Sequence, residues 1–215
     1  MIKLIDILEN NILVPRRSKE ERTKNYLIAT QKKIQQYMKG GGKGDLELSG
    51  TPITSLPPGL SVGGDLNLYG TPITSLPSGL KVGGDLYLNG TLITSLPPDL
   101  SVGGNLNLYN TPIKSLPSGL SVGGRLNLED TEITSLPSGL SVGGDLNLIN
   151  TKITSLPSGL SVGGTLELYG TSITSLPSDL KVRDGLYLGN TPLSKSHKVE
   201  QIRQMAPGVK GNIFI

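Results

Sequence analysis

The sequence predicts a repeat solenoid: a parallel β-sheet of short stacked strands, an extended rather than helical convex side, and α-helical caps at both ends. Three observations predict it. A 20-residue unit runs through seven full copies from Asp45 to Asp184 and starts an eighth at Gly185. Every copy contains a Leu-x-Leu pair, from Leu46/Leu48 to Leu186/Leu188. The chain's 29 Gly and 15 Pro fall at fixed places in that unit, which marks a repeat architecture and not a low-complexity segment. The chain divides into a helical N-terminal cap (1–44), the repeat array (45–194), and a C-terminal capping helix with a final edge strand (195–215).

The Leu-x-Leu pair alternates at period two, so each pair is a strand with one buried face. One such strand cannot bury its apolar side alone, but a parallel stack forms a continuous core. That core must be aliphatic, because the chain has one Phe, no Trp and 4% aromatics. Two residues after each pair stands Gly50, Gly70, Gly90, Asn110, Asp130, Asn150, Gly170 or Asn190. These residue types tolerate positive φ at least cost, so the chain leaves each strand through a left-handed turn. Gly59, Gly79, Asp99, Gly119, Gly139, Gly159 and Asp179 imply the same on the opposite arc.

Thr follows the turn in every copy, from Thr51 to Thr191. Buried backbone groups need partners, and a stacked Thr column is expected to satisfy neighbouring coils. A Thr array matched to a ligand lattice would need exposed Thr on a flat strand, not Thr after a tight turn. The remainder, such as Ile73 to Pro77 with Leu80 and Val82, has no helical period, and its Pro suits an extended return path.

The string Leu-x-Leu-x-x-Thr-x-Ile followed by Leu-Pro resembles the leucine-rich repeat, with Thr in the usual Asn column. The 20-residue period and Leu-Pro step resemble the short bacterial class of type III secreted effectors. The fuller string Leu-Pro-x-Gly-Leu-x-Val-Gly-Gly-x-Leu-x-Leu is similar to repeat proteins of bacteriophage and environmental bacterial genomes. The resemblance covers roughly residues 45–194 and implies a scaffold with a concave binding sheet. One departure is the Gly at Gly63 and its equivalents, where the family's strand motif begins with Leu; Val62 and its equivalents are expected to supply that contact.

An open solenoid needs capped ends. Ser18 and Glu21 form a capping box, after which Tyr26, Leu27, Thr30, Ile34, Tyr37 and Met38 share one helical face. A short earlier helix carries Leu4, Ile5, Leu8 and Ile12 and stops before Pro15. At the other end a helix is expected over Ser194 to Ala206, with Val199, Ile202 and Met205 inward. The tail from Val209 copies the spacing of the repeat, so Ile213 and Ile215 are expected in the Leu positions of a ninth strand. Such an edge invites pairing with another chain, leaving monomer and homodimer through this strand both open.

Without cysteine, disulfides and thiolate metal sites are excluded. No stretch approaches the ~20 apolar residues of a membrane span, and Asp6 and Glu9 interrupt the apolar N-terminus as a secretory signal would not. An intracellular protein is expected, in the cytoplasm of a bacterial cell or a phage-infected host, with no membrane partner. The net charge of +3 is segregated: residues 1–44 and 191–215 are basic, whereas 45–190 hold six Lys/Arg against twelve Asp/Glu.

No catalytic constellation is visible. His197 is the single histidine, so neither a triad nor a histidine metal cluster forms around it. The Gly-Gly pairs lack the Lys-Ser/Thr of a phosphate loop. The resembling effectors often add a ubiquitin-ligase domain, for which this chain has neither length nor a cysteine nucleophile. Asp65, Asp85 and Asp145 recur at one repeat position, either as a cation or acid–base site or as a solvated acidic column. No enzyme activity, metal or cofactor is expected.

What varies is the strand face. One column contains Asp65, Asp85, Asn105, Arg125 and Asp145; a middle column contains Asn67, Tyr87, Asn107, Asn127, Asn147 and Tyr187; a third contains Tyr69, Tyr109, Glu129, Ile149 and Tyr169. Tyr and Arg anchor protein interfaces and Asn adds adaptable hydrogen bonds. The expectation is a protein partner on this concave face, carried by Tyr69, Tyr87, Tyr109, Arg125, Ile149 and Tyr169; solubility with repeat drift is the bland alternative. A second function class is nucleic-acid binding by the basic cap, through Arg16, Arg17, Lys19, Arg22, Lys24, Lys32 and Lys33. A third is a structural, oligomerising or virion-associated role.

Overall fold

A computed structural model describes residues 18–215 of the chain. It is a β-solenoid of about seven turns built on the 20-residue unit, with helices at both ends. The Leu-x-Leu segments form a nine-stranded parallel front sheet whose strands follow one another in chain order, from Leu46–Glu47 to Asn212–Phe214. Register is in phase with the repeat: Leu46 pairs with Leu66, Leu86 with Leu106 and Leu166 with Leu186. The side chains inside are Leu, Ile and Val throughout, including Leu66, Leu68, Ile73, Leu80 and Val82. The convex return is extended, and its Leu-Pro steps carry no helix.

A second, seven-stranded parallel sheet stacks Ser61–Val62 through Lys181–Val182 along the side of the coil. The strands expected from the sequence are the Leu-x-Leu pairs alone, and this second ladder adds to them. It explains why Gly stands at Gly63 and its equivalents. A Cβ on Gly103 would overlap the Gly83 carbonyl oxygen, and one on Gly104 would overlap Asp85 Oδ1. The coils approach backbone to backbone at this corner. Val62, Val82 and Val102, just before it, supply the buried contact.

All eight strand-exit residues have positive φ, including Asn110 (52°), Asp130 (56°), Asn150 (58°) and Asn190 (58°). The opposite arc differs in part. Its glycines have positive φ, but Asp99 and Asp179 do not. Those two carboxylates instead accept the hydroxyls of Ser78 and Ser158 on the preceding coil. The Thr column also corrects expectation. Each hydroxyl donates to the Leu carbonyl three residues back in its own coil, as Thr111 to Leu108 at 2.7 Å, where the Thr backbone N–H also donates. Thr therefore closes a turn within a coil and does not bridge coils.

Helix α1 (Lys19–Lys39) covers the first coil. The Ser18 side chain accepts from Glu21 N–H and the Glu21 carboxylate accepts from Ser18 N–H, completing the capping box. Thr30 and Ile34 are buried, while Leu27, Tyr37 and Met38 are partly so. Tyr26, expected on the same face, is half exposed. The Tyr37 hydroxyl reaches the Gly42 and Gly44 carbonyls and fixes the glycine-rich connection. Arg16, Arg17 and the helix expected over Leu4 to Ile12 lie outside the described residues.

The C-terminal helix is two helices, α2 (Pro192–Ser196) and α3 (Val199–Met205). Thr191 caps α2 through Ser194 N–H, which starts it earlier than expected. The Ser196 hydroxyl returns to the Pro192 carbonyl, and His197 is extended, so the helix ends there. Ile202 is buried, with Val199 and Met205 partly buried against the core. Beyond α3 the repeat resumes: Val209 bridges Val182 and Ile213 pairs with Leu186. Ile213 is buried as expected, but Ile215 is 52% exposed. No helix among them is long and apolar enough to cross a membrane.

Candidate functional site

Side chains beside the buried leucines project from the front sheet, because alternation sends neighbours to opposite faces. Their hydrogen bonds separate those occupied by the fold from those free for a ligand. In the first column each Asp or Asn accepts the backbone N–H of the same position one coil later. Asp45 accepts from Asp65, Asp65 from Asp85, Asp85 from Asn105, Asn105 from Arg125, and Asp145 from Thr165, at 2.7–2.9 Å. These carboxylates are a side-chain ladder between coils, and the described residues contain no group of three potential metal-ligating side chains.

The middle column is similarly occupied. Oδ1 of Asn67, Asn107, Asn127 and Asn147 accepts the N–H two residues on, from Tyr69, Tyr109, Glu129 and Ile149. This bond meets a backbone donor where the strand ends. Asn147 is fully buried and also donates to Glu129. The Tyr87 hydroxyl donates to Asp85 at 2.9 Å, and this bond to the carboxylate raises the Tyr87 pKa. Burial pushes the Asp85 carboxyl up, but the Asn105 N–H, the Tyr87 hydroxyl and the Asn105 side chain outweigh it and leave the pKa lowered.

Tyr69, Tyr109, Arg125, Ile149 and Tyr169 have no side-chain hydrogen bond or ion pair with any described residue. Tyr69, Tyr109 and Tyr169 are exposed. The structure adds three apolar residues to Ile149 and Tyr169 at one end of the sheet. Tyr187, Phe214 and Ile215 join them around a hollow of about 380 Å³ that also touches Glu167 and Gly189. Tyr187 and Phe214, paired across the last two strands, stack with ring centroids 4.3 Å apart and planes 15° apart. A Cβ on Gly189 would press on the Tyr169 ring, so glycine there makes room for it. Tyr187 lies in the varying middle column and Phe214 at the same position of the ninth strand, the register that the spacing of Ile213 implies.

In the basic cap, Lys19, Arg22, Lys24 and Lys32 are exposed on α1. Lys33 instead donates to the Glu47 carbonyl and clamps the helix to the first strand. His197 contacts its neighbour Ser196 through Nδ1 at 2.8 Å, away from any acidic cluster among the described residues. No protein-family model matches the chain, and no match is found among curated proteins.

Proposed function

We propose that the chain is a non-catalytic leucine-rich-repeat scaffold that binds a protein partner across its front sheet. The observation that supports this is the apolar cluster of Tyr169, Tyr187, Phe214 and Ile215, exposed at 51%, 41%, 44% and 52%. The fold has no need of Tyr169, Tyr187 and Phe214 outside: their columns elsewhere hold Asn, Ser and Glu on an unchanged framework. Contiguous exposed apolar surface with a polar rim is characteristic of interaction sites. Tyr69 and Tyr109 extend the face toward the N-terminal end, and nine strands about 4.8 Å apart give it a length on the order of 40 Å.

The test is a selection of displayed protein fragments on the wild type and on a Tyr169→Ser, Tyr187→Ser, Phe214→Ser variant with an unchanged circular dichroism spectrum. Fragments retained by the wild type and lost by the variant support the face as the binding site. Identical selections, or none, defeat it. Retention of duplex DNA that disappears between low and moderate salt would transfer the function to the cap residues Lys19, Arg22, Lys24 and Lys32.

A further inference from the structure

We propose that Arg125 determines the specificity of the front sheet by receiving one carboxylate, from an Asp or Glu of a protein segment whose apolar anchor occupies the Tyr169/Tyr187/Phe214 hollow. This rests on the protein-binding function above and names the chemistry of the partner.

Arg125 stands in the column where Asp45, Asp65, Asp85, Asn105 and Asp145 each accept an N–H from the next coil. A guanidinium has five donors and no acceptor. The Asp145 N–H therefore has no partner among the described residues, whereas those of Asp65, Asp85, Asn105, Arg125 and Thr165 are bonded to the coil before. Arg125 Nε is itself buried without a partner, the one such side-chain atom among the described residues. Thr165 also departs from the column, but leaves no buried side-chain donor unmet. Asp145 is one coil away and Glu129 four residues on, yet neither pairs with Arg125; Asp145 Oδ1 is committed to Thr165 N–H.

Two donors one coil apart in the same column, Arg125 Nε and the Asp145 N–H, are thus unmet. Asn, which the chain uses one coil earlier, would satisfy one and remove the other. A departure that harms the fold with no compensating contact marks a site kept for another purpose. The guanidinium fork matches a carboxylate. The array as a whole holds twelve acidic against six basic residues, which opposes polyanions such as nucleic acid. One carboxylate in an otherwise neutral or basic segment meets both conditions, and it fixes register. From the Arg125 strand, Tyr169 lies two strands on and Phe214 four, about 10 and 19 Å at about 4.8 Å per strand. An extended segment covers this in about three to six residues.

Three measurements test it. In the first, Arg125→Asn is expected to melt at a higher temperature than the wild type, since Asn restores the ladder; a lower melting temperature overturns the proposal. In the second, N-acetylglutamate is expected to shift the NMR signals of Arg125 Nε–H and Asp145 N–H, whereas N-acetylglutamine at equal ionic strength leaves them in place. Equal response to both, or to neither, overturns it. In the third, random displayed peptides selected on the wild type are expected to carry Asp or Glu three to six residues from an apolar anchor, and those selected on Arg125→Asn to keep the anchor and lose the acid. An acid present in both sets, or in neither, defeats the role of Arg125 while leaving the binding face intact. No selected peptide on either protein defeats both.

Discussion

A buried hydroxyl and a missing Cβ support this fold in different ways, and substitution separates them. Thr111 donates to the Leu108 carbonyl, which Thr111 N–H also reaches. Thr111→Val therefore leaves that carbonyl paired, and the expected loss is about 1 kcal/mol in urea unfolding. Gly103→Ala forces a methyl against the Gly83 carbonyl oxygen, where backbone on both sides resists movement, so about 3 kcal/mol is expected in the same assay. Asp85 adds a pH dependence. Its pKa is depressed in the fold, so its contribution is complete above the unfolded carboxylate value of about 3.9 and is lost as pH falls through the lower folded value. Asp85→Asn keeps an acceptor for Asn105 N–H and is expected to flatten this acid-side loss in melts taken at decreasing pH. At this scale the sequence showed which positions recur but not why. Thr51 to Thr191 were legible as a buried column, yet whether the hydroxyl turned within or between coils depended on the direction of one carbonyl. Asp65, Asn67 and their equivalents looked like ligand-facing groups because exposure is readable from alternation, whereas a side chain bonded to a backbone N–H one coil away is not.

Helix α1 shows how an element can be legible while its contacts are not. Ser18 and Glu21 announce its start, and both capping bonds form. Its buried face narrows to Thr30 and Ile34, with Lys33 fastening it to Glu47. Because each coil contacts only its neighbours, damage to the cap stays local. Ile34→Ala is expected to cost about 3 kcal/mol where the helix meets the first strand, and hydrogen exchange should speed up through Leu46–Leu48 while Leu146–Leu148 remains protected. Equal acceleration in both segments would show that the array unfolds as one unit. At the far end, the sequence pattern predicts one helix where α2 and α3 stand, because Val199, Ile202 and Met205 fit the period. The break at His197 arises from capping by Thr191 and from the turn that Ser196 closes. The resumed strand was legible because Val209 and Ile213 copy the spacing of Val182 and Leu186, and both pairs form.

Across the whole molecule, the one-coil repeat makes distance along the face a countable quantity, and this permits a test that no point substitution offers. Removing 20 consecutive residues keeps every strand in register, since pairing is offset by one repeat throughout. Deleting Leu66–Asp85 shortens the array outside the stretch from Arg125 to the apolar hollow; deleting Leu126–Asp145 shortens that stretch by one strand spacing, about 4.8 Å. Both proteins are expected to fold, with similar melting temperatures and the same β-rich circular dichroism, because each loses one coil of equivalent core. A peptide selected on the wild type, with its acid and its apolar anchor at fixed separation, should bind the first deletion at nearly unchanged affinity in isothermal titration. On the second it can reach Arg125 or the hollow but not both without buckling. The loss of one of two linked contacts is expected to weaken binding by at least about tenfold. Selection of new peptides on that protein should recover affinity with the acid and anchor one or two residues closer together, since an extended residue spans about 3.3 Å. Equal weakening by both deletions would mean that the Arg125-to-hollow distance does not set register, and that the peptide is held elsewhere along the sheet.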